Sequence, residues 1–488
     1  MNKRSMLLVV LLVVALVIPT SVVQAQSATN QTWMSSITYY TPSSSGGELT
    51  ISFYSEGSAT PITLPSITLN PHAAGSLYVG GVTQLGTTFS GTAVLTSDVY
   101  VIATAVQFAV SPETNNYGRL LYSGFTPSEA ASPFYIPTVL NAKFGSTSLI
   151  AIQNTTSSEI TANVKFYAVG STTPTVEKNY NIPAQSNAIL PCNNATKVGL
   201  PAGFNGSAVI TAATGQVVAS VQETDDNGRG AYAFEGVASG ANTIYMASML
   251  CNAFGGQNSY YAIQNASLTS AASVTINFYD TSGTLVAQLP STSLGVGNKM
   301  SVNPCTIQAD YGAANNVPAG TSGSAVINST GAPVIAIGKV KAPNGMATAF
   351  VGQGAGSTKI AAPYIRWAAT PTSEWRTYVA VMNVGTGAAT NIVAKYYDGN
   401  GTLKVSKTLA TAGSPLAQYI KTNTDASTAG ALQPDGTFGL PTIGVPAGGS
   451  IEIESDQPLV VVVRAQKDVT GLGATTRFAE DYNGVTIP

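Results

Sequence analysis

The residues of this 488-residue chain that could do chemistry are few. Its one histidine, His72, follows a proline in a turn-like stretch, so the sequence supports neither a Ser-His-Asp triad nor a histidine-based metal site. Glycoside hydrolysis needs two carboxyl groups flanking one cleft, whereas adjacent side chains of a strand point to opposite faces. The sequence therefore predicts that the protein is not an enzyme. We expect His72 on a solvated loop and the acidic pairs Asp225-Asp226 and Glu480-Asp481 in hairpin turns.

Two segments rich in Asp and Asn supply the oxygen ligands that calcium takes. One contains Asp225, Asp226 and Asn227, and the other contains Asp398 and Asn400. Neither segment has the acidic spacing or the distal glutamate of an EF-hand loop. Calcium bound between domains, where it would stiffen the joints, is the one cofactor hypothesis that the sequence supports.

The chain has three cysteines, so at most one intrachain disulfide can form in an oxidising compartment. Cys192 and Cys305 occupy matching places after a proline, and Cys251 is the additional residue. We expect a disulfide between Cys251 and Cys305, with Cys192 to Cys251 as the alternative. The remaining thiol is either buried or available to crosslink subunits.

Two markers repeat four times along the chain and define the elements that position these residues. One is a glycine followed by a small polar residue and an apolar run, at Gly91, Gly206, Gly323 and Gly449. The other is an aromatic pair that ends at Tyr54, Tyr167, Tyr279 and Tyr397, in steps of 113, 112 and 118 residues. One unit used four times is typical of a scaffold or binding surface rather than of an active site.

Period-two alternation precedes the aromatic pairs, as in Ala162 to Phe166, and turns rich in glycine follow them. We predict an all-β protein of four tandem immunoglobulin-like β-sandwich domains, joined by short segments into a semi-rigid rod or arc. Asn154 and Asn265 follow the same strand in two copies, and we expect them to form turns. The predicted boundaries are 1–25 for a signal peptide and 26–126, 127–240, 241–357 and 358–488 for the domains.

The fourth copy adds a resemblance to a known class of module. An Asn-x-Gly turn at Asn383 to Gly385 is followed by a strand ending in Tyr396-Tyr397-Asp398-Gly399-Asn400-Gly401. This pattern resembles the adhesion-related immunoglobulin-like modules of bacterial cell-surface proteins. The resemblance covers about a third of each unit, and it implies a β-sandwich repeat at the cell surface.

The N-terminus predicts export. Lys3 and Arg4, an apolar stretch from Met6 to Ile18 and the small-residue exit at Ala25 form a signal peptide, with cleavage after Ala25 or, alternatively, after Ala28. An uncleaved membrane anchor is the other interpretation, although the stretch is short for a span of roughly 20 residues. Cleavage leaves 19 basic residues against 23 acidic ones, which excludes a nucleic-acid partner. We expect an extracellular or cell-surface protein without a membrane span.

The first copy departs from the others because Gln26 to Ser36 contains no opening strand. A sandwich without an edge strand exposes backbone groups that another chain can pair. The donor hypothesis assigns that role to Val485, Thr486, Ile487 and Pro488 of a neighbouring subunit, and the alternative is that Ala28 to Trp33 closes the edge. We therefore predict a structural subunit that self-assembles into a surface layer, sheath or filament, or contacts other cell-surface components. The alternative function is an adhesin that binds glycan or protein through domain-tip loops.

Overall fold

The computed structural model describes residues 12–16, 32–110, 117–225, 231–368, 374–427, 438–439, 448–469 and 476–488. Most of this described chain is β-strand, arranged in sheets of antiparallel strands. The predicted all-β fold is confirmed. Within these ranges no helix is long and apolar enough to span a membrane.

The sheets occur in pairs, and each pair is called a unit. In unit 1 one sheet has the order β1-β7-β3-β4, with β5 also on β3, and the other has the order β6-β2-β8-β9. Two 3-10 turns, Val79–Gly81 and Thr83–Leu85, connect the sheets. The strands are β1 Leu12–Leu16, β2 Thr32–Tyr40, β3 Gly47–Ser55, β4 Ile62–Thr63, β5 Ile67–Leu69, β6 Ala74–Tyr78, β7 Gly91–Ser97, β8 Ile102–Val110 and β9 Tyr117–Ser123.

Unit 2 has the sheet orders β10-β15-β12-β13 and β14-β11-β16-β17, which repeat those of unit 1. A 3-10 turn, Pro127–Glu129, leads into it. Its strands are β10 Phe134–Asn141, β11 Ser146–Asn154, β12 Ile160–Ala168, β13 Val176–Ile182, β14 Asn187–Pro191, β15 Phe204–Ala212, β16 Val217–Asp225 and β17 Ala231–Glu235.

Unit 3 has the orders β18-β23-β20-β21 and β22-β19-β24-β25. A one-turn helix, α1 Ile307–Tyr311, follows β22. Its strands are β18 Thr243–Cys251, β19 Asn258–Asn265, β20 Ala272–Asp280, β21 Leu285–Leu294, β22 Lys299–Val302, β23 Thr321–Thr330, β24 Val334–Lys341 and β25 Ala347–Val351.

Unit 4 differs because its strands form one eight-stranded sheet, and a single long strand, β31, joins the two halves that correspond to the paired sheets of the other units. Its first part pairs with β26 and β28, and its second part pairs with β27 and β32. The strands are β26 Ser357–Ala362, β27 Glu374–Asn383, β28 Ile392–Asp398, β29 Leu403–Ala410, β30 Lys421–Asp425, β31 Gly449–Val469, β32 Thr476–Asn483 and β33 Val485–Thr486.

The predicted alternation is visible in the core of each unit. Along β12 the side chains of Ala162, Val164 and Phe166 are fully buried, while Asn163 and Lys165 face outward. The apolar side chains of the two sheets of unit 2 pack into one cluster. Each sheet is therefore apolar on its inner face, which gives the units a sandwich-like construction.

The glycine and tyrosine markers meet across neighbouring strands. Gly206 on β15 lies beside the end of β12, and a Cβ atom there would overlap the carbonyl oxygen of Tyr167. Gly91 stands in the same relation to Tyr54, and Gly323 to Tyr279. A side chain at these positions would push the strands apart, which explains the repeated glycine.

The asparagine at the end of the second strand of units 2 and 3 stabilises a turn, as predicted. Asn154 is fully buried, its Nδ2 donates to the carbonyl oxygens of Ser158 and Ile182, and its Oδ1 accepts the Thr156 amide. Asn265 makes the equivalent bonds in unit 3. The buried amide satisfies backbone groups that the sheets leave unpaired.

The predicted rod or arc is wrong, because the fourth unit packs against the first. The strands at one edge of each second sheet contact one another in a cycle, β9 with β17, β17 with β25, β25 with β32, and β32 with β9. Apolar cores continue across the boundaries, and Leu121 of unit 1 belongs to the cluster of unit 4. The chain therefore forms a closed ring of four units.

Candidate assembly surfaces

The units meet through one repeated contact, in which the hairpin after the aromatic pair of one unit packs on a two-residue turn of the next. The second residue of that turn is left-handed in every unit, with φ of 53° at His72, 57° at Gln185, 66° at Gly297 and 65° at Tyr419. A repeated head-to-tail contact whose rotation closes generates a ring. The junction of unit 4 with unit 1 is built like the other three.

Hydrogen bonds cross every junction near this turn. From the junction of units 1 and 2 to that of units 4 and 1, they are Asn187 Nδ2 to the Tyr54 carbonyl at 3.0 Å, the Gly170 amide to Asn298 Oδ1 at 3.1 Å, Ser324 Oγ to the Tyr419 carbonyl at 2.5 Å, and the Ala74 amide to the Gly399 carbonyl at 3.1 Å.

His72 lies in the closing junction rather than on a solvated loop, so that prediction is wrong. Its ring stacks on Tyr397 of unit 4 at 4.7 Å between centroids, and its Nδ1 is 3.2 Å from Glu452 Oε1. The Tyr40 hydroxyl donates to the same oxygen at 2.6 Å. Burial and the nearby Glu452 raise the pKa of Tyr40, so this tyrosine stays a hydrogen-bond donor. The turn itself was predicted, but partners from unit 4 cover it.

The acidic pair Glu480-Asp481 lies in the middle of β32, so the predicted hairpin turn is wrong. The two side chains do point to opposite faces, as strand geometry requires. Glu480 pairs with Arg119 of unit 1 at 2.5 Å, and Arg464 pairs with both carboxylate oxygens of Asp481 at 2.8 and 2.6 Å. These acids are the buried halves of ion pairs.

Sequence reasoning missed the charged residues that join the units. Glu223 of unit 2 is buried and pairs with Lys339 of unit 3 at 2.5 Å, and Lys197 of unit 2 pairs with Glu56 of unit 1. The available signal was a charge inside an apolar strand, such as Lys339 within β24, in a chain with only 9% charged residues. A buried charge is retained only where it is paired.

Two further buried groups at the junctions have shifted pKa values. Burial raises the pKa of Glu235 in unit 2 to about 7, and its carboxylate accepts the Ser123 amide of unit 1. Burial, with the nearby Lys339, lowers the pKa of Lys299 in unit 3 to about 7, and its ammonium donates to Thr138 Oγ1 of unit 2 at 2.9 Å. Desolvation disfavours the charged form of each group.

The described calcium candidates Asp225 and Asp398 end strands of different units. Asp398 Oδ1 accepts the amides of Asn400 and Thr402 at 3.0 Å each, and Lys404 lies 3.0 Å from Oδ2. An ammonium thus stands where a cation would bind, and this arrangement does not fit a calcium site. Asp225 ends β16 in another unit, while Asp226 and Asn227 lie outside the described residues. No group of three or more His, Cys, Asp or Glu side chains in the described ranges is placed to hold a metal ion.

Two of the three cysteines are joined within unit 3, and the third lies in unit 2. Cys251 and Cys305 form a disulfide with a Cα–Cα distance of 5.5 Å. Cys192 is a buried free thiol, and burial raises its pKa. A buried thiol with a raised pKa is a poor nucleophile, which suits a packing role.

The opening strand of unit 1 comes from the predicted signal peptide. β1 pairs antiparallel with β7, from Leu12 opposite Leu95 to Leu16 opposite Gly91. In the other units this place is taken by β10, β18 and β26. Of the alternative closing segment Ala28 to Trp33, residues 28–31 lie outside the described residues, and Trp33 pairs with Ala109 in the second sheet. Among the described residues, the β7 edge is therefore covered by a segment of the predicted signal peptide.

The predicted donor segment is used within its own chain. Val485 and Thr486 form β33 on the edge of β26, and the Ile487 amide donates to the Lys359 carbonyl at 3.1 Å. Ile487 is buried with Tyr40 and other residues of unit 1. The C-terminal segment, including Pro488, thus covers the edge of unit 4 beside the closing junction.

Two tip loops carry exposed phenylalanines. Phe144 and Phe254 are 73% and 65% exposed, and they follow the opening strands of units 2 and 3. Both residues are left-handed, with φ of 55° and 47°. This backbone conformation is uncommon for a bulky residue, and it holds each ring outside the core.

The fold and these contacts define a closed ring of sandwich-like repeat units. No known protein family matches the chain, and no curated protein does. Among solved structures, a biofilm-associated protein BSP domain is 9% identical over 93% of this chain and 91% of its own, with a TM-score of 0.14. A Salmonella alpha-2-macroglobulin is 7% identical over 99% of this chain and 40% of its own, with a TM-score of 0.11. At these TM-scores neither likeness carries an argument about fold or function.

Proposed function

We propose that this chain is an exported, non-enzymatic structural protein, built of four immunoglobulin-like β-sandwich domains, whose copies associate into a layer, sheath or filament at the cell surface. The observation that supports this proposal is the repeated hairpin-on-turn junction. The hairpin and the turn that recur in every unit hold neighbouring units together, as expected of a building block made from one repeated unit.

The distribution of charge supports the same proposal. Buried ions such as Glu223 and Glu480 pair across junctions, where they fix how the units meet. Elsewhere Ser, Thr and Asn carry much of the solubility, since only 9% of residues are charged. Such surfaces lose less hydration free energy than charged surfaces do when another copy covers them.

Negative-stain electron microscopy of residues 26–488 at rising concentration tests the proposal, with sedimentation velocity on the same samples. We expect ordered sheets or filaments above a threshold concentration. Adding calcium tests the hypothesis that calcium stiffens the joints between domains. We expect no effect, because the Lys404 ammonium already pairs with the Asp398 carboxylate. Isolated ring-shaped particles at every concentration would overturn the structural role.

The exposed phenylalanine tips favour an adhesin as the second candidate. An adhesin would stay monomeric and bind glycan or protein through the loops that carry Phe144 and Phe254. Screening residues 26–488 against immobilised glycans and surface proteins tests this function. The double variant Phe144→Ser with Phe254→Ser should lose any such binding while its thermal stability is unchanged, because both side chains are solvent-exposed.

A further inference from the structure

The edge of β7 in unit 1 is a binding site for an extended peptide segment. We infer that, once residues 1–25 are removed, this edge accepts a strand of about five residues, apolar on both faces, from another polypeptide chain. The inference rests on the export step of the proposed function and names the contact through which a partner chain that carries such a strand would bind.

Unit 2 shows what the site requires. Phe134, Ile136 and Val139 of its opening strand pair opposite Ile210, Ala208 and Gly206, and all three side chains are fully buried in the core. Unit 3 places Ile244, Met246 and Met249 in the same register. An opening strand therefore supplies three core side chains as well as a ladder of backbone hydrogen bonds.

The acceptor positions of unit 1 follow the same register. Leu95, Ala93 and Gly91 correspond to Ile210, Ala208 and Gly206, and they lie opposite Leu12, Val14 and Leu16 of β1. Ala93 and Leu95 belong to the buried core of unit 1. Removing β1 leaves the edge of β7 unpaired and opens this core to water, which makes the edge a template for another strand.

The second face of the strand is also apolar. β1 lies against β11 and β16 of unit 2, just as β10 lies against β19 and β24 of unit 3. In unit 2 that face presents Tyr135, which packs with Val209 and with Ala266 and Ile335 of unit 3. A strand buried on both faces, as β10 is, reads as a continuous apolar run, and the sequence of β1 is Leu-Val-Val-Ala-Leu. The slot between units 1 and 2 thus selects a short apolar segment.

The mature N-terminal arm is too short to fill the slot. Tyr40 pairs with Ala74 in unit 1, and Gln153 pairs with Asn187 in unit 2. Ala74 and Asn187 each lie two residues after the left-handed turn residue of their unit, so Tyr40 and Gln153 are equivalent. Counting back equally far along both strands makes Trp33 equivalent to Ser146. Unit 2 connects its first two strands with residues 142–145. The same connection would use residues 29–32, and after cleavage only Gln26, Ser27 and Ala28 would remain. Three residues, two of them polar, cannot replace β1.

A peptide-binding assay tests the site. The probe is a fluorescent peptide with the sequence of residues 132–141, which contains the opening strand of unit 2. The control peptide carries serine at the places of Phe134, Ile136 and Val139. We expect saturable binding of the probe to residues 26–488, at least about 100-fold tighter than the control, since three buried apolar side chains are lost. Equal binding of the two peptides, or none to the folded protein, would overturn the inference.

A self-complemented chain provides the matched control and a test that does not depend on the folding of residues 26–488. Residues 134–145 are fused directly before Trp33, so that the chain supplies its own opening strand. This variant should bind no probe and should unfold at a higher temperature than residues 26–488. A second fusion, in which serine replaces Phe134, Ile136 and Val139 of the added segment, should bind the probe again. If the fusion gains neither stability nor resistance to the probe, the inference fails.

The same proteins separate this inference from the proposed function. Assembly without probe binding would refute the edge site and leave the structural role standing. Probe binding without assembly would support the edge site and refute the structural role. Mass spectrometry of the exported protein must show that residues 1–25 are absent, and their retention would overturn the inference.

Discussion

Replacing Arg119 by alanine tests the closing junction of the ring. The Arg119 Nε donates to Glu480 Oε1 at 2.5 Å, and the guanidinium lies 4.7 Å from the Trp375 ring centroid. Glu480 has a fully buried side chain, whereas that of Arg119 is 19% exposed. Arg119→Ala therefore leaves a carboxylate in the interior without its partner. Breaking a buried pair in this way costs about 3–5 kcal/mol of unfolding free energy.

The loss should depend on pH. Burial already raises the pKa of Glu480, with Arg119 opposing the shift, so removing Arg119 raises it further. A raised pKa favours the protonated acid in the native state, and that stabilisation is lost as pH rises through the folded-state pKa. We expect Arg119→Ala to be more destabilising in alkaline than in mildly acidic buffer.

Urea unfolding followed by tryptophan fluorescence measures the effect. The double variant Arg119→Met with Glu480→Leu should recover most of the stability, because no unpaired charge remains. Lys165→Ala is the matched control, since Lys165 and Glu177 form an exposed pair and its loss should change stability by less than about 0.5 kcal/mol. A loss below about 1 kcal/mol for Arg119→Ala, or no difference across pH, would refute the reasoning.

Three further variants test other parts of the structure. Gly401→Ala should lower the thermal midpoint more than Gly170→Ala: both glycines have φ above 80°, but only at Gly401 would a Cβ atom overlap the backbone of unit 1. Equal losses would contradict the closed ring. Glu235 has a pKa of about 7, so its contribution is present below about pH 4.5 and is lost, by up to about 3 kcal/mol, as pH rises through 7. Glu235→Gln should flatten the stability profile between those pH values, and an unchanged profile would refute the assignment. Replacing Cys251 and Cys305 by alanine should destabilise unit 3 by about 4 kcal/mol, given a separation of 54 residues, and denaturant curves that overlay those of the native protein would contradict this.

Local features of the sequence predicted several of the strands and turns. Alternation along β12 identifies its buried face, because successive side chains of a strand point to opposite sides. Asn154 and Asn265 could be assigned to turns because an asparagine side chain bonds its own backbone nearby. The repeated glycine marked the places where the next strand leaves no room for a side chain. Each of these rules acts within a few residues or between adjacent strands.

The candidate site could be predicted only in part. The sequence indicated that unit 1 lacks an opening strand of its own after the predicted cleavage, and β1 occupies that place in the structure. It did not show that the C-terminal segment, the predicted donor, already lies on β26. Both segments are short and apolar, and a short apolar strand can pair with any open edge of suitable register. Which edge it takes depends on the arrangement of whole units.

The sequence by itself determined the strand content, the fourfold repetition and the low charge of this protein, because periodicity and composition act locally. Tertiary structure alone decided the closed ring, the place of His72 and the partners of Glu480. Glu452 lies 380 residues from His72, and Glu480 lies 361 residues from Arg119. Such pairs form only after the four units have docked, and no local pattern encodes the angle at which one unit meets the next.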